Sequence, residues 1–462
     1  MNNIDALIER MAAEVPPGHR ELPGSMLDRL AELTAELLDA RPDCTAELDR
    51  YLSVQHRSIP VPPQRVAELI GGQRIVVTGG SGCLGTVLLD QLTRLGPREL
   101  VSVSLSEPDR PVPGVRYETV DIRDRGAVDR LLHTLRPSVV FHLAAERDPG
   151  LAEREAARTL HTNAIGTRNV AESAEDAGVA HFGYASTGKA LRPYSSDVYA
   201  ESKRMGEWVM GQVASRGTMN CAGTRFTHVV DNSIVLRRFR QACRLGRPVR
   251  LHSPHTLFYA QSAIESAQLM LVALAEPNEP VFRLCMIRDL DWPIRLLDVA
   301  LGIVRESGRA APLYIAGFEP GYEPAPYPGL YDPQFAGDLS PLINALEAPL
   351  ARPSASPAVD VVPMPALPSG DLLRRMTALE QHCLHGDDAR VRATADELAW
   401  AMLDETLRLA APGTLRRIVR LTTPYRAEMT AEHLRMDDMF RRHAGGAPEH
   451  TPEQQRAAIA AR

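Results

Sequence analysis

The sequence contains few cysteines, and nothing in their spacing suggests that they pair. Six cysteines stand singly in 462 residues, with no CxxC pair and no short spacing typical of a disulfide framework. No stretch approaches the roughly 18 uninterrupted apolar residues of a membrane-spanning helix. The N-terminal segment MNNIDALIERMAAE carries carboxylates where a signal peptide has an apolar run. We therefore expect a soluble, cytoplasmic protein with reduced thiols.

The sequence also lacks an excess of positive charge. Lysine and arginine total 52 against 58 aspartates and glutamates, which gives a net charge of −6 and a pI near 6.2. We therefore expect neither nucleic acid nor an anionic membrane as a partner. Aromatic residues make up only 5% of the chain, but 44% hydrophobic and 24% charged residues are typical of a globular protein.

Hydrophobic periodicity divides the chain into four regions. Residues 1–70 predict a helical N-terminal extension. Residues 71–345 alternate short apolar runs with helical stretches, as in a parallel sheet with crossover helices, and a substrate lobe is expected mainly after residue 225. Prolines predict an extended linker over 346–370, and a helical C-terminal extension over 371–462 follows it. The expected fold is a doubly wound α/β domain with helical additions at both ends.

A glycine-rich segment follows the first predicted strand. In RIVVTGGSGCLG, Gly79, Gly82 and Gly85 stand between an apolar strand and a helical stretch. A dinucleotide needs such a tight turn without side chains, so that its pyrophosphate can approach backbone N–H groups at a helix N-terminus. A glycine turn without a ligand is the alternative, and the flanking strand and helix favour the dinucleotide.

Two further positions bear on the cofactor. Asp121, in TVDIRD, follows the third short strand, where a carboxylate can accept from an adenine amino group; a surface turn aspartate is the alternative. At the end of the second strand, an acid usually contacts the ribose or an arginine meets a 2′-phosphate. The chain has Ser104 and Glu107 there, so the choice between NAD and NADP stays open.

The stretch from Tyr184 to Lys203 carries groups suited to proton transfer. Tyr199 and Lys203 stand four residues apart, which places both on one helix face. An ammonium near a phenol favours the phenolate, which lets a tyrosine act as a general base near neutral pH. Thr187, at the end of the preceding strand, is placed to hydrogen-bond the same substrate oxygen. Such a pair is common on helix surfaces, but together with the glycine loop it predicts a catalytic site.

Seven motifs, in this order, resemble the extended short-chain dehydrogenase/reductase superfamily. The likeness is greatest to its polysaccharide-biosynthesis branch, the UDP-N-acetylglucosamine 4,6-dehydratases and epimerases. The motifs, spread over roughly residues 73–345, are VTGGSGCLG, LGPRELVSVS, VDIRD, FHLAAERDPGLAE, TNAIGTRNVAESAEDAGV, YASTGKALRP and YAESKRMGE. The resemblance implies a Rossmann domain with a small substrate-capping lobe, tightly held NAD or NADP, and hydride abstraction from a sugar carbon. It also implies a sugar or nucleotide sugar as the substrate and a homodimer.

The resemblance assigns roles to individual residues. The implied catalytic residues are Thr187, Tyr199, Lys203 and Lys189. The implied cofactor contacts are Thr78, Gly79, Gly82, Cys83, Leu84, Gly85, Ser104, Asp121, Ile122, Ala144, Ala145, Tyr199 and Lys203. The implied substrate contacts are Glu146, Asn163, Thr227 and His228, and Asn163 has a structural role as its alternative.

One departure from the family pattern concerns the reaction itself. The dehydratase branch has an acidic residue where this chain has Gly188, although Lys189 is retained. Elimination of water needs an acid for the departing hydroxyl and a base for the carbon-bound proton. Dehydration therefore requires Asp197 or Glu146 to substitute, whereas epimerisation or simple oxidation does not.

The segments expected to bind a nucleotide diphosphate have also changed. Three family arginines are replaced within 230–233, 256–259 and 317–323, and Glu319 would repel a diphosphate. Six arginines are candidates for a rebuilt anion site, with solvated surface charge as the alternative: Arg237, Arg238, Arg240, Arg244, Arg247 and Arg250. We expect no metal site, because the histidine pairs at 252/255 and 382/385 lack zinc-type spacing.

These observations predict an NAD(P)-dependent enzyme that oxidises a sugar carbinol. Carbon 4 of a nucleotide sugar is the expected position, and oxidation would open an epimerisation or a dehydration. The missing arginines leave a second hypothesis, a dehydrogenase or reductase acting on a substrate without a diphosphate in a specialised pathway. A cofactor-sensing interaction protein is the third.

Overall fold

The structure is a computed structural model and describes residues 3–309, 311–322, 325–368 and 370–445. Helices in these ranges are numbered along the chain. They are α1 (Asn3–Glu14), α2 (Gly24–Ala40), α3 (Cys44–Ser53), α4 (Pro63–Ile70), α5 (Cys83–Thr93), α6 (Arg125–Leu135), α7 (Pro149–Arg154), α8 (Ala156–Leu160), α9 (Gly166–Asp176), α10 (Val198–Ala214), α11 (Ile234–Arg244), α12 (Ala263–Ala275), α13 (Leu296–Ser307), α14 (Pro333–Ala336), α15 (Gly370–His385), α16 (Asp388–Leu409), α17 (Pro412–Thr422) and α18 (Ala431–Ala444). In the described part of the chain, no helix is both long and apolar enough to cross a membrane.

The strands are numbered in the same way. They are β1 (Arg74–Thr78), β2 (Glu99–Ser104), β3 (Arg116–Thr119), β4 (Val139–His142), β5 (His181–Thr187), β6 (Asn220–Phe226), β7 (His228–Val229), β8 (Val249–Leu251), β9 (Leu257–Phe258), β10 (Ala260–Gln261), β11 (Phe282–Ile287), β12 (Ile294–Arg295), β13 (Leu313–Ile315), β14 (Arg352–Pro353) and β15 (Val359–Met364).

A nine-stranded sheet organises the larger of two structural units. Its order is β14-β15-β11-β6-β5-β4-β1-β2-β3, with parallel pairing from β11 to β3. Strands β1 and β4 are buried along almost their whole length, as parallel strands covered on both faces are. In register, Thr78 pairs with His142, and His142 pairs with Tyr184. The carboxyl ends of β1, β4 and β5 therefore meet at one sheet edge, and the predicted doubly wound parallel fold is confirmed.

The larger unit comprises Ser58–Phe226, Ile264–Asp289 and the described chain from residue 325 onwards. Its C-terminal helices pack on the helix that carries the predicted catalytic pair. Met376 of α15 and Leu398 of α16 share one core cluster with Met205 and Trp208 of α10. The helical C-terminal extension is thus part of the same core, and the predicted helical additions at both ends are confirmed. The extension's final residues, 446–462, lie outside the described residues.

The proline-rich segment 346–370 differs from the expected linker. Strand β15 within it pairs antiparallel with β11, and β14 pairs with β15. Val361 and Val362 are fully buried, so this segment contributes to the core. Pro363 lies beyond the part of β15 that β14 covers, so no strand on that side needs the N–H that a proline lacks.

The smaller unit comprises Met1–Arg57, Thr227–Ala263 and Leu290–Pro324. Its described residues are 3–57, 227–263, 290–309 and 311–322. Leucines of α2 form its core together with residues from α13 and β13. Leu33 is fully buried among Leu301 and Leu313, as are its helical neighbours Leu30 and Leu37. Most of the predicted N-terminal extension, up to residue 57, therefore shares one core with the chain after residue 226.

Candidate active site

The turn from β1 to α5 leaves no room for side chains at two glycines. Gly79 has φ +74, and a Cβ there would lie 2.6 Å from the Ala144 nitrogen. A Cβ at Gly85 would lie 2.4 Å from the Gly79 carbonyl oxygen. Both contacts are with backbone, which cannot easily move aside. The structure thus has the narrow, side-chain-free turn that a pyrophosphate requires.

The start of α5 presents backbone donors. Gly82 precedes the helix and has no side chain with which to cap it, while Cys83 and Leu84 form its first turn. The first N–H groups of a helix have no partner within the helix, so this end suits an anion. The Ser81 N–H donates to Ser104 Oγ over 3.2 Å, which ties the loop to the end of β2. The residues predicted for the phosphates therefore lie together.

A buried histidine supports the floor of this region, and sequence reasoning missed it. His142, the last residue of β4, bonds Thr78 Oγ1 through Nδ1 (2.6 Å) and Thr167 Oγ1 through Nε2 (3.0 Å). Burial lowers the pKa of His142 to about 3, so the ring is neutral. Ala144, which follows β4, donates its N–H to Thr78 Oγ1 over 3.4 Å. The signal available in the sequence was a histidine at the end of an otherwise apolar strand.

At the predicted adenine end, Asp121 already has a cationic partner. Nε of Arg123 donates to Asp121 Oδ1 over 3.0 Å, and a terminal guanidinium nitrogen donates to Oδ2 over 2.6 Å. These bonds hold the pKa of Asp121 below its usual range. Ile122 is buried, and its carbonyl accepts from Asn169 Nδ2 over 3.0 Å. Asp121 keeps lone pairs for an amino group, and its adenine contact remains a prediction.

Helix α10 holds the predicted Tyr199 and Lys203 pair. The Lys203 ammonium is buried 4.4 Å from the centroid of the Tyr184 ring. The described residues give it no hydrogen-bond acceptor, so ligand hydroxyls would fit there. Burial lowers the pKa of Lys203 to about 7. The hydroxyls of a cofactor ribose would be suitable acceptors for its N–H groups.

Tyr199 does not have the depressed pKa that the sequence predicted. Burial raises the pKa of Tyr199 to about 12, and a hydrogen bond with Thr187 offsets only part of this rise. The structure therefore favours the neutral phenol. Lys203 does little to stabilise a phenolate, because burial also disfavours the charged form of that lysine. Charge brought by a ligand is needed before the phenolate becomes accessible near neutral pH.

Lys189 lies in an ion pair beside these residues. Its ammonium is 2.5 Å from Asp197 Oδ2, and its backbone N–H donates to Thr187 Oγ1 over 3.3 Å. Asp197 is buried and also caps α10 by accepting from the Ala200 N–H over 3.1 Å. A Cβ at Gly188 would lie 2.8 Å from the Leu342 side chain, so an acidic side chain there would first displace that leucine.

The side chain of Asn163 hydrogen-bonds other protein groups on both its oxygen and its nitrogen. Its Oδ1 accepts from the Glu146 N–H over 2.8 Å, and its Nδ2 donates to the Glu146 carbonyl over 2.8 Å. The same Nδ2 donates to Ser202 Oγ over 2.9 Å. With its side chain fully buried and used in this way, Asn163 ties the loop after β4 to α10. This geometry favours the structural alternative for Asn163.

The comparison with known proteins settles the family. A family model described as "Polysaccharide biosynthesis protein" matches residues 75–322, more than half of the chain. The chain belongs to this polysaccharide biosynthesis protein family. The matched residues include the glycine loop, Tyr199 and Lys203, and the resemblance inferred from the motifs is confirmed.

The chain is also similar to individual proteins and to a solved structure. The chain is 24% identical over 283 residues to the probable polysaccharide biosynthesis protein EpsC of Bacillus subtilis, covering 57% of this chain and 46% of EpsC. It is 32% identical over 122 residues to dTDP-L-rhamnose 4-epimerase of Burkholderia thailandensis, covering 25% of this chain and 34% of the epimerase. The chain thus spans about half the length of EpsC. The structure of Pen from Bacillus thuringiensis matches with a TM-score of 0.54 at 18% identity, covering 64% of this chain and 91% of Pen, which shows a shared fold.

In this family member, the predicted substrate residues Thr227 and His228 lie in the smaller unit. Thr227 Oγ1 donates to the Tyr259 carbonyl over 2.8 Å. His228 Nε2 is 2.7 Å from the hydroxyl of Tyr51 in α3, and burial lowers the pKa of His228 to about 4. The structure therefore joins His228 to the N-terminal helices, a contact that sequence reasoning missed. Substrate contact by these two residues remains a prediction.

Two of the six candidate arginines already have partners within the smaller unit. Arg240 pairs with Glu306 over 3.6 Å on the surface. Arg250 lies over the Tyr314 ring and donates to the carbonyl of Arg20 over 3.3 Å. Glu319 is exposed, and Glu323 lies outside the described residues. The structure thus gives Arg250 a role in holding the segment around residue 20.

Proposed function

We propose that this protein is an NAD(P)-dependent enzyme that oxidises a sugar carbinol, at carbon 4 of a nucleotide sugar. One observation carries the proposal. The Tyr199 and Lys203 pair on α10, with Thr187 at the end of β5, lies in the same unit as the glycine turn at the end of β1. A hydride acceptor and a proton-transfer group are the two requirements for oxidising a carbinol.

The residues present fit a nicotinamide dinucleotide. Backbone at Gly79, Gly82 and Gly85 would hold the pyrophosphate, and the Lys203 ammonium would bind ribose hydroxyls. A nicotinamide held there would supply the hydride acceptor that oxidation of a carbinol needs. Position 104 is a serine. It is neither an acid, which would bind the ribose of NAD, nor an arginine, which would bind the 2′-phosphate of NADP, so both cofactors are candidates.

The chain's own residues then move the proton. Thr187 would hold the substrate hydroxyl, and Tyr199 would take its proton as the carbon loses hydride. Burial raises the pKa of Tyr199 to about 12, so the phenolate would need a nearby positive charge, such as a bound oxidised nicotinamide would supply. Relatives named as a polysaccharide biosynthesis protein and a nucleotide-sugar epimerase support a sugar substrate.

The decisive experiment follows product and cofactor together. Purified protein is incubated with NAD or NADP and a panel of UDP- and dTDP-sugars, while mass, solvent deuterium incorporation and cofactor absorbance are recorded. We expect an epimer or a loss of water without net cofactor change. Tyr199→Phe should abolish turnover while the cofactor stays bound. Turnover retained in that variant would refute the role of Tyr199.

A second candidate is a dehydrogenase or reductase whose substrate has no diphosphate. The segment expected to carry arginines instead places Phe318 and Tyr322 against His252, with ring centroids 6.1 and 4.2 Å apart. Aromatic rings do not neutralise a diphosphate. A dehydrogenase or reductase would consume its cofactor stoichiometrically, whereas an epimerase or dehydratase regenerates it.

A further inference from the structure

The chain uses lysine at two positions only. Of its 52 lysine and arginine residues, Lys189 and Lys203 are the only lysines, and both lie in the candidate active site. Elsewhere arginine serves even in buried ion pairs, as between Arg225 and Glu207 at 2.8 Å. A guanidinium stays protonated at all ordinary pH values, whereas an amine can give up a proton. We therefore infer that both positions require a cation that can release its proton, which arginine cannot do.

The two lysines lie in opposite electrostatic surroundings. Lys203 is buried, and none of the carboxylates in the described ranges is hydrogen-bonded to it; this burial disfavours its charge. Lys189 has the Asp197 carboxylate at 2.5 Å, which favours its ammonium form. Groups in one site whose surroundings separate their protonation states are suited to different proton-transfer roles.

The carboxylate beside Lys189 is held in place. Asp197 has a side-chain exposure of 5%; its Oδ1 accepts from the Ala200 N–H at the start of α10, and its Oδ2 faces Lys189. Asp197 stands two residues before Tyr199, close enough for its charge to oppose the phenolate. The carboxylate absent at Gly188 is thus supplied from the start of α10.

We propose that Asp197 is a positioning residue that keeps Lys189 as an ammonium beside Thr187 and Tyr199, and that Lys189 is the proton donor to a second substrate oxygen. In that step, an N–H bond of the ammonium breaks, an O–H bond forms on the substrate, and solvent reprotonates the amine. Tyr199 and Lys203 keep their separate roles in oxidation of the carbinol. The catalytic part of this inference rests on the proposed function, whereas the ion pair does not.

The first test needs no substrate. With only two lysines, protein labelled with ¹³Cε-lysine gives two side-chain signals whose titration can be followed by NMR, assigned with Lys189→Gln. Asp197→Asn removes the charge and keeps a side-chain oxygen that can cap α10. We expect the Lys189 signal to titrate at a lower pH in Asp197→Asn than in wild type, with the Lys203 signal unchanged. Identical Lys189 titrations in the two proteins would overturn the proposal.

The second test is kinetic and uses the substrate found for the wild-type enzyme. Asp197→Asn should lower kcat roughly tenfold at nearly unchanged KM and cofactor affinity, since general acid catalysis contributes about 10²-fold or more. The Asp197→Asn/Lys189→Gln double variant should be no slower than Lys189→Gln alone, because the two residues act as one unit. Additive losses would contradict a role through Lys189.

A matched control separates charge from capping. Asp387 also caps a helix, accepting from the Arg390 N–H over 3.1 Å, and it pairs with the Arg390 side chain at 3.3 Å. Asp387→Asn should leave kcat unchanged. If wild type turns over no nucleotide sugar, the proposed function fails, and the NMR titration still decides whether Asp197 sets the charge of Lys189.

Discussion

At the scale of single residues, the glycine turn distinguishes two reasons for glycine. Gly79 combines φ +74 with a backbone neighbour 2.6 Å from any added Cβ, whereas Gly96 has φ +66 with nothing within 4 Å. Left-handed backbone strain alone costs an alanine of order 1 kcal/mol. The close approach of Ala144 adds a displacement of the loop on which the cofactor would lie.

Gly79→Ala should therefore weaken cofactor binding at least tenfold as well as lower stability. Gly96→Ala should lower stability by about 1 kcal/mol and leave cofactor binding unchanged, because strain is its only penalty. Calorimetric titration with NAD and NADP, together with urea denaturation of both variants, measures the two effects. Equal cofactor affinity in the two variants would show that the turn does not cradle the phosphates.

At the scale of elements, the C-terminal helix α16 braces the start of α10. Arg392 donates to Glu153 Oε2 over 2.8 Å, and Glu153 Oε1 accepts from the Val198 N–H over 2.9 Å. The helix that carries Tyr199 is thus capped by a carboxylate that α16 holds in place. A cap typically contributes about 1 kcal/mol.

Arg392→Ala should lower the free energy of unfolding by about 1–2 kcal/mol and kcat severalfold, because Glu153 loses its partner. Arg390→Ala, two residues away, removes only an exposed pair with Asp387 and should change stability by less than about 0.5 kcal/mol. Guanidinium denaturation and steady-state kinetics compare the variants. Equal losses of stability and of kcat in Arg392→Ala and Arg390→Ala would show that Arg392 does not support the start of α10.

Local patterns predicted the elements whose residues are close in sequence. The β1 turn and the Tyr199 and Lys203 face depend on spacings of four to seven residues, and the structure has both. The pairing of β15 with β11 joins segments more than 70 residues apart, and the prolines concealed it. The sequence predicts a lowered pKa for the Tyr199 phenol, whereas burial raises it, and burial depends on contacts that a local pattern does not show.

The sequence also offers Asp197 as a substitute acid. Its contact with Lys189 depends on the turn at Gly188–Leu191, which brings the two side chains together.

At the scale of the whole molecule, the smaller unit depends on three chain segments that are separated in the sequence by stretches of the larger unit. Leu33 in α2 is fully buried in a core that also contains Leu251 of β8 and Leu301 of α13. A buried leucine replaced by alanine costs about 2–5 kcal/mol. Since cores of separate units can open separately, this loss should appear first as local opening.

Leu33→Ala should therefore reduce amide hydrogen-exchange protection in 3–57, 227–263 and 290–309 together. Protection in β1, β4 and β5 of the larger unit should remain unchanged, because none of their residues belongs to that core. Leu27→Ala serves as the control, since Leu27 lies on the same helix but outside the core cluster. Exchange measured by mass spectrometry resolves these segments. A loss of protection that spread equally into the sheet would mean that the two cores unfold as one, and the N-terminal helices would then stabilise the catalytic unit as well.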